Sequence, residues 1–148
     1  MDKKTEELVE KLHNVLVNSY ALYVKTQSYH WNVTGKDFYA MHLLFETQYR
    51  EQAEAIDKIA EHIRTLGAKV DAGFEYFGKE KSITSPNKDY NLAEMLRDLI
   101  NSQTAVIKGF DELSNLAVEH GDKATEDLAR QRITAHKDQK WMLVSSSA

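Results

Sequence analysis

The sequence predicts an all-α protein: a four-helix bundle with a short extra helix in the long connection between its second and third helices. Three observations lead there. One Pro and six Gly in 148 residues leave little material for the frequent turns of a many-stranded sheet protein. Leu, Ala, Glu, Lys and Gln, all good helix formers, are plentiful instead. Apolar residues recur at three- and four-residue spacing through four long segments divided by turn signals. The length and a hydrophobic share of 42% suit one domain, 1–148, with short tails at 1–4 and 145–148.

Thr5, followed by Glu6 and Glu7, predicts the start of the first helix, whose apolar positions are Leu8, Leu12, Val15, Leu16, Ala21 and Tyr23. Asn32-Val33-Thr34-Gly35 breaks the chain. Asp37 is then placed to cap a second helix with the stripe Phe38, Met41, Phe45, Tyr49, Ile56, Ala60 and Ile63, stopped at Gly67. From Ala68 to Tyr90 the pattern lapses, but Phe74, Tyr76 and Phe77 are too apolar for an idle linker and predict the short helix. Asn91 with Glu94 reads as a capping box for a third helix through Leu92, Leu96, Leu99, Val106, Phe110, Leu113 and Ala117, ended by Gly121. Asp122 caps a fourth through Leu128, Ile133, Ala135, Met142 and Leu143. Tight turns make each outer pair antiparallel, and the long connection must cross between pairs, which is a ferritin-like topology.

Composition narrows function. With no Cys, any metal must sit on nitrogen and oxygen ligands, as suits a reducing cytoplasm. No run of about 18 apolar residues and no apolar signal core predict a cytosolic protein away from membranes. A formal charge of -4 disfavours functions that need a strongly basic surface.

The second helix carries His42 and Glu46, then Asp57 and Glu61, each pair at i,i+4 on one face where both side chains reach a common ion. Either pair alone reads more readily as part of a solvated, salt-bridged face. Together the four span an arc of about 100°, one residue out of step with Met41, Phe45, Ile56 and Ala60, so they lie at the margin of the bundle. Glu46 and Asp57 are about 16 Å apart along a straight helix, too far to share one ion. If two copies cross antiparallel on a two-fold axis, however, 42 faces 61 and 46 faces 57 about one midpoint between Glu51 and Gln52. His30, five residues before Gly35 where His42 is seven beyond it, comes to a similar height across the hairpin and extends the cluster from the first helix; its alternative is a packed histidine near a helix end. Trp31 beside it reads either as a quencher of reactive oxidant or as an ordinary core aromatic. Imidazole and carboxylate ligation without sulfur suits iron, manganese or zinc, and open positions favour redox turnover.

The string His30-Trp31-Asn32-Val33, Gly35, Phe38, His42, Glu46, Tyr49, Asp57, Ala60-Glu61 and Leu66-Gly67 resembles the Dps family of mini-ferritins, and the likeness extends to Trp141-Met142-Leu143. The resemblance implies a ferroxidase centre between subunits, with His30, His42 and Glu46 from one and Asp57 and Glu61 from its two-fold partner. It further implies a hollow dodecamer that oxidises Fe(II), usually with hydrogen peroxide and otherwise with oxygen, stores Fe(III) mineral and protects against oxidative damage. Zinc or manganese would compete with iron. Glu46 stands where Asp is also common, and His62 where Arg is more usual; His62 reads as a surface residue or a supplementary ligand. Asp122, Glu126 and Asp127 resemble the family's iron entry pore, or equally complement a helix N-terminus. The Lys-rich tail with which many members bind DNA is reduced here to Lys3 and Lys4 beside Asp2, Glu6 and Glu7, so DNA binding, and with it association with a bacterial nucleoid, is disfavoured though avidity would multiply weak contacts. The alternative functions are a DNA-compacting stress protein with secondary iron chemistry and a plain helical interaction bundle. His13, His120 and His136 read as surface histidines.

Overall fold

The computed structural model describes all residues, 1–148, as five helices: α1 (Lys3–Asn32), α2 (Phe38–Thr65), α3 (Phe74–Glu80), α4 (Leu92–His120) and α5 (Lys123–Ser146). Helices therefore reach further into both termini than the expected tails. Asp2, not Thr5, caps α1, its carboxylate accepting from the Thr5 amide at 2.8 Å. The Asn91–Glu94 capping box is present, Gly121 closes α4 in the left-handed region at φ 71°, and Asp122 accepts from Thr125 N–H at 3.0 Å. Asp37 begins α2 without a side-chain cap; at ψ 14° its backbone lies outside the extended region from which a cap side chain reaches forward.

The contacts fix the topology. Glu7 meets His120 and Lys11 meets Glu112, while Lys25 and Tyr29 meet Asp98, so α1 and α4 are antiparallel. His62 meets Thr125 and Gln48 meets Gln139, so α2 and α5 are antiparallel too. The connection must then return along the length of the bundle, and it climbs the side of α1: Asp71 binds His13, Phe77 stacks on Tyr20, Ser82 binds Asn18, and Asn87 binds Tyr29. Lys25, fully buried, clamps it by donating to Thr84, Asp98 and Ser102, and burial lowers the pKa of its ammonium. The apolar core is continuous, with Leu12, Leu22, Phe45, Ile59, Ile63, Phe110 and Leu113 sealed within it.

Two expectations are corrected. The core-facing stripe of α5 is Thr125, Ala129, Arg132, His136, Gln139 and Leu143, while Met142 is exposed and Leu128, Ile133 and Ala135 are half-buried. His13 and His136 are buried, both nitrogens of each bonded within the fold rather than to water, and the His120 side chain is nearly buried, with Nε2 on Glu7. Around His136 lies a polar core. Its Nδ1–H donates to Gln103 at 2.8 Å, Arg132 donates to its Nε2 at 3.0 Å, and Arg132 and Gln139 both donate to Glu51.

Candidate metal centre

Near the turn that joins them, α1 and α2 bring three candidate ligand side chains together. The last carbonyls of a helix lack intrahelical partners, and His30 lies within the final turn of α1. Its carbonyl accepts from His42 Nδ1–H at 2.7 Å, and the His42 carbonyl accepts from His30 Nδ1–H at the same 2.7 Å. These reciprocal bonds commit each Nδ1 to donation, which leaves each Nε2 with a lone pair for a cation. The rings stack at 3.8 Å between centroids and 13° between planes. Phe38 closes the stack on the far side of His42 at 5.0 Å, and Tyr49 meets His30 edge-on at 5.2 Å.

Glu46, one turn beyond His42, directs Oε1 toward His30 Nε2 at 3.8 Å and accepts from Arg50 at Oε2 at 2.9 Å. Arg50 thereby holds the carboxyl below its usual pKa, helped by the two imidazoles, and orients one oxygen inward. The ligand atoms of His30, His42 and Glu46 all lie within 4.8 Å of one another. Atoms bound to one first-row ion stand about 4 Å apart at most, so small side-chain rotations let all three bind together.

The other expected ligands are elsewhere in the chain. Asp57 and Glu61 follow three and four turns further along α2, exposed and outside the His30 cluster. Trp31 is 65% exposed, and the rings that contact His30 are those of His42 and Tyr49. His62 is half-buried and its Nε2 bonds Thr125 Oγ1 at 2.8 Å, tying the end of α2 to the start of α5. The acidic group at the start of α5 is partnered locally: Asp122 with Thr125, Glu126 with Arg130 at 3.4 Å, and Asp127 with Gln131 at 2.9 Å. The sequence reading took Tyr49 and Phe38 for core positions and passed over Arg50. Their spacing carried the signal, since 38, 42, 46, 49 and 50 lie on one face of α2.

A ferritin-like domain profile matches residues 9–145. A low temperature-induced protein of Nostoc sp. is 32% identical over 146 residues, covering 97% of this chain and 82% of its own. A DNA protection during starvation protein of Brevibacillus brevis is 31% identical over 144 residues, covering 97% of both chains. Among solved structures, a Dps protein from Bacillus brevis superposes with TM-score 0.96 at 26% identity, covering 100% of this chain and 99% of its own. A Dps protein from Vibrio cholerae, described as a member of a broad superfamily of ferritin-like diiron-carboxylate proteins, gives 0.94 at 28% identity over 98% and 91%.

Proposed function

Because the chain belongs to the ferritin-like family, in its Dps branch, we propose that it is a ferroxidase that oxidises Fe(II) between two protomers and stores Fe(III) mineral in a dodecameric shell. The observation that carries this reading is the pair of imidazoles with Nδ1 locked and Nε2 open, facing an oriented carboxylate. Three ligands on one chain hold a first ferrous ion weakly. The partner's Asp57 and Glu61 complete the centre across the two-fold axis, because the register about Glu51 and Gln52 brings them opposite Glu46 and His42. Carboxylates supply hard oxygen ligands that favour the ferric product, and two open Nε2 positions retain ferrous iron.

In this reading two ferrous ions each give one electron to hydrogen peroxide, which takes up two protons and leaves as two waters. Pairing the electrons keeps hydroxyl radical from forming, which is the protective function. Zinc and manganese suit the same donors and compete. No helix is long and apolar enough to cross a membrane, and we place the shell in the cytoplasm. We assign Asp122, Glu126 and Asp127 to iron entry at a three-fold axis, where repeated carboxylates attract cations. DNA compaction is the lesser reading, since Lys3 and Lys4 lie within α1 rather than on a tail. Ferrous oxidation by peroxide, followed on the wild type and His42→Ala, tests the assignment; equal rates would remove it.

A further inference from the structure

A continuous line of aromatic rings leaves the metal centre. Tyr49 meets His30 at 5.2 Å, Tyr23 meets Tyr49 at 5.9 Å, and Tyr20 meets Tyr23 at 5.6 Å. Positions 20, 23 and 30 share one face of α1, and Tyr49 of α2 fits between the last two. Rings this close are in van der Waals contact, the condition under which an electron passes readily between them. Tyr20, Tyr23 and Tyr49 are each half-buried, packed yet partly open to solvent in the single chain. Tyr20 then stacks on Phe77 at 4.7 Å. Phenylalanine has no phenolic proton to release and is far harder to oxidise, so Phe77 ends the line. Beside that end is an open hollow lined by Val24, Phe77 and Pro86.

We infer that Tyr49, Tyr23 and Tyr20 form a relay that removes single oxidising equivalents from the metal centre and discharges them at Tyr20. This rests on the ferroxidase reading and adds a path for the case that reading leaves unprotected. When only one ferrous ion is present, its one-electron cleavage of peroxide yields ferric ion, hydroxide and hydroxyl radical. That radical takes a hydrogen atom from the Tyr49 phenol and becomes water. Tyr23 passes one electron to the Tyr49 radical and releases its phenolic proton to water, while Tyr49 takes a proton back. Tyr20 repeats the step toward Tyr23. The radical on Tyr20 then takes a hydrogen atom from a dissolved thiol, and two thiyl radicals combine as a disulfide. The oxidant thus leaves the ligand histidines intact.

The test maps nitrone spin-trap adducts by mass spectrometry on the assembled protein, given Fe(II) below one ion per centre and then hydrogen peroxide. The expected result is an adduct on Tyr20 in the wild type, lost in Tyr23→Phe and replaced by one on Tyr49. The ferrous oxidation rate stays unchanged in that variant, since Tyr23 is not among the ligands. A Tyr20 adduct that survives Tyr23→Phe, or adducts confined to Trp31, would overturn the relay while leaving the ferroxidase reading in place. If the wild type oxidises no iron, that reading fails, and an iron-free arm decides the relay. A photo-oxidant is attached to Arg50→Cys, a position whose native side chain lies over the Tyr49 ring at 5.6 Å in a chain without other Cys. Flash oxidation there should yield a Tyr20 radical that requires Tyr23; a radical that stays on Tyr49 would sink the relay.

Discussion

Two histidine and carboxylate clusters share α2, one near its start and one at its middle, and they use their nitrogens in opposite ways. Near the start, His30 and His42 spend Nδ1 on each other's carbonyl and keep Nε2 open toward Glu46. At the middle, His136 spends both nitrogens, on Gln103 and Arg132, and the guanidinium occupies the place beside Glu51 that a cation would need. His13 is saturated as well, by the Val9 carbonyl and the Asp71 amide. The difference teaches that a buried histidine near a carboxylate is available to a cation only where the fold leaves its second nitrogen unspent. One cluster holds the bundle together and the other is free to bind.

The largest effect expected from breaking this comparison is at the open cluster. His42→Ala removes a proposed ligand and the ring stacked on His30, while the backbone carbonyl that accepts from His30 stays, so ferrous oxidation should fall at least ~100-fold in stopped-flow absorbance, with little change in melting temperature. At the closed cluster the effects reverse. Arg132→Ala leaves Glu51 with Gln139 alone and His136 Nε2 without a donor, and urea titration should show a loss of about 2 kcal/mol, discounted because Glu51 is half in water. Its ferrous oxidation per assembled shell should match the wild type.

Arg50→Ala tests orientation rather than ligation. Glu46 keeps its place but loses the donor that aims Oε1, so ferrous affinity should drop about tenfold by titration calorimetry under nitrogen. The smallest effect is in acid. Burial, then the Arg132 charge, pushes the His136 pKa well below its usual value, so the folded state refuses a proton that the unfolded chain accepts below about pH 6.5. Stability therefore falls as pH drops through that window. His136→Gln should reduce the pH slope of unfolding by about one proton, or ~1.4 kcal/mol per pH unit, in urea titrations between neutral pH and pH 5.

Much of the fold was legible because α1, α2 and α4 write their core faces in Leu, Val, Ile and Phe, with caps at Asn91 and Gly121. In α5 the reading held only for Leu143, with Leu128 and Ile133 packed at the core's edge, since most of the buried face is Thr125, Arg132, His136 and Gln139, and an apolar template finds no stripe in polar residues. The same polar context made His136 read as a surface residue. At the candidate centre, spacing carried the donor set of His30, His42 and Glu46, which the hairpin does bring together. The carbonyl locks were not legible, because they depend on where α1 ends to within a residue. Nor was Tyr49 against His30, a contact between helices that no single-helix pattern records.

The central claim is that one centre needs residues of two chains, and mixed assembly tests it most directly. Shells of His42→Ala alone, or of Asp57→Asn/Glu61→Gln alone, should be inactive. Dissociated together in equal amounts and reassembled, half the dimers pair unlike chains, and each such dimer restores one of its two centres. The account predicts recovery of about a quarter of wild-type ferrous oxidation. Mixed shells of wild-type mass that recover none would contradict it.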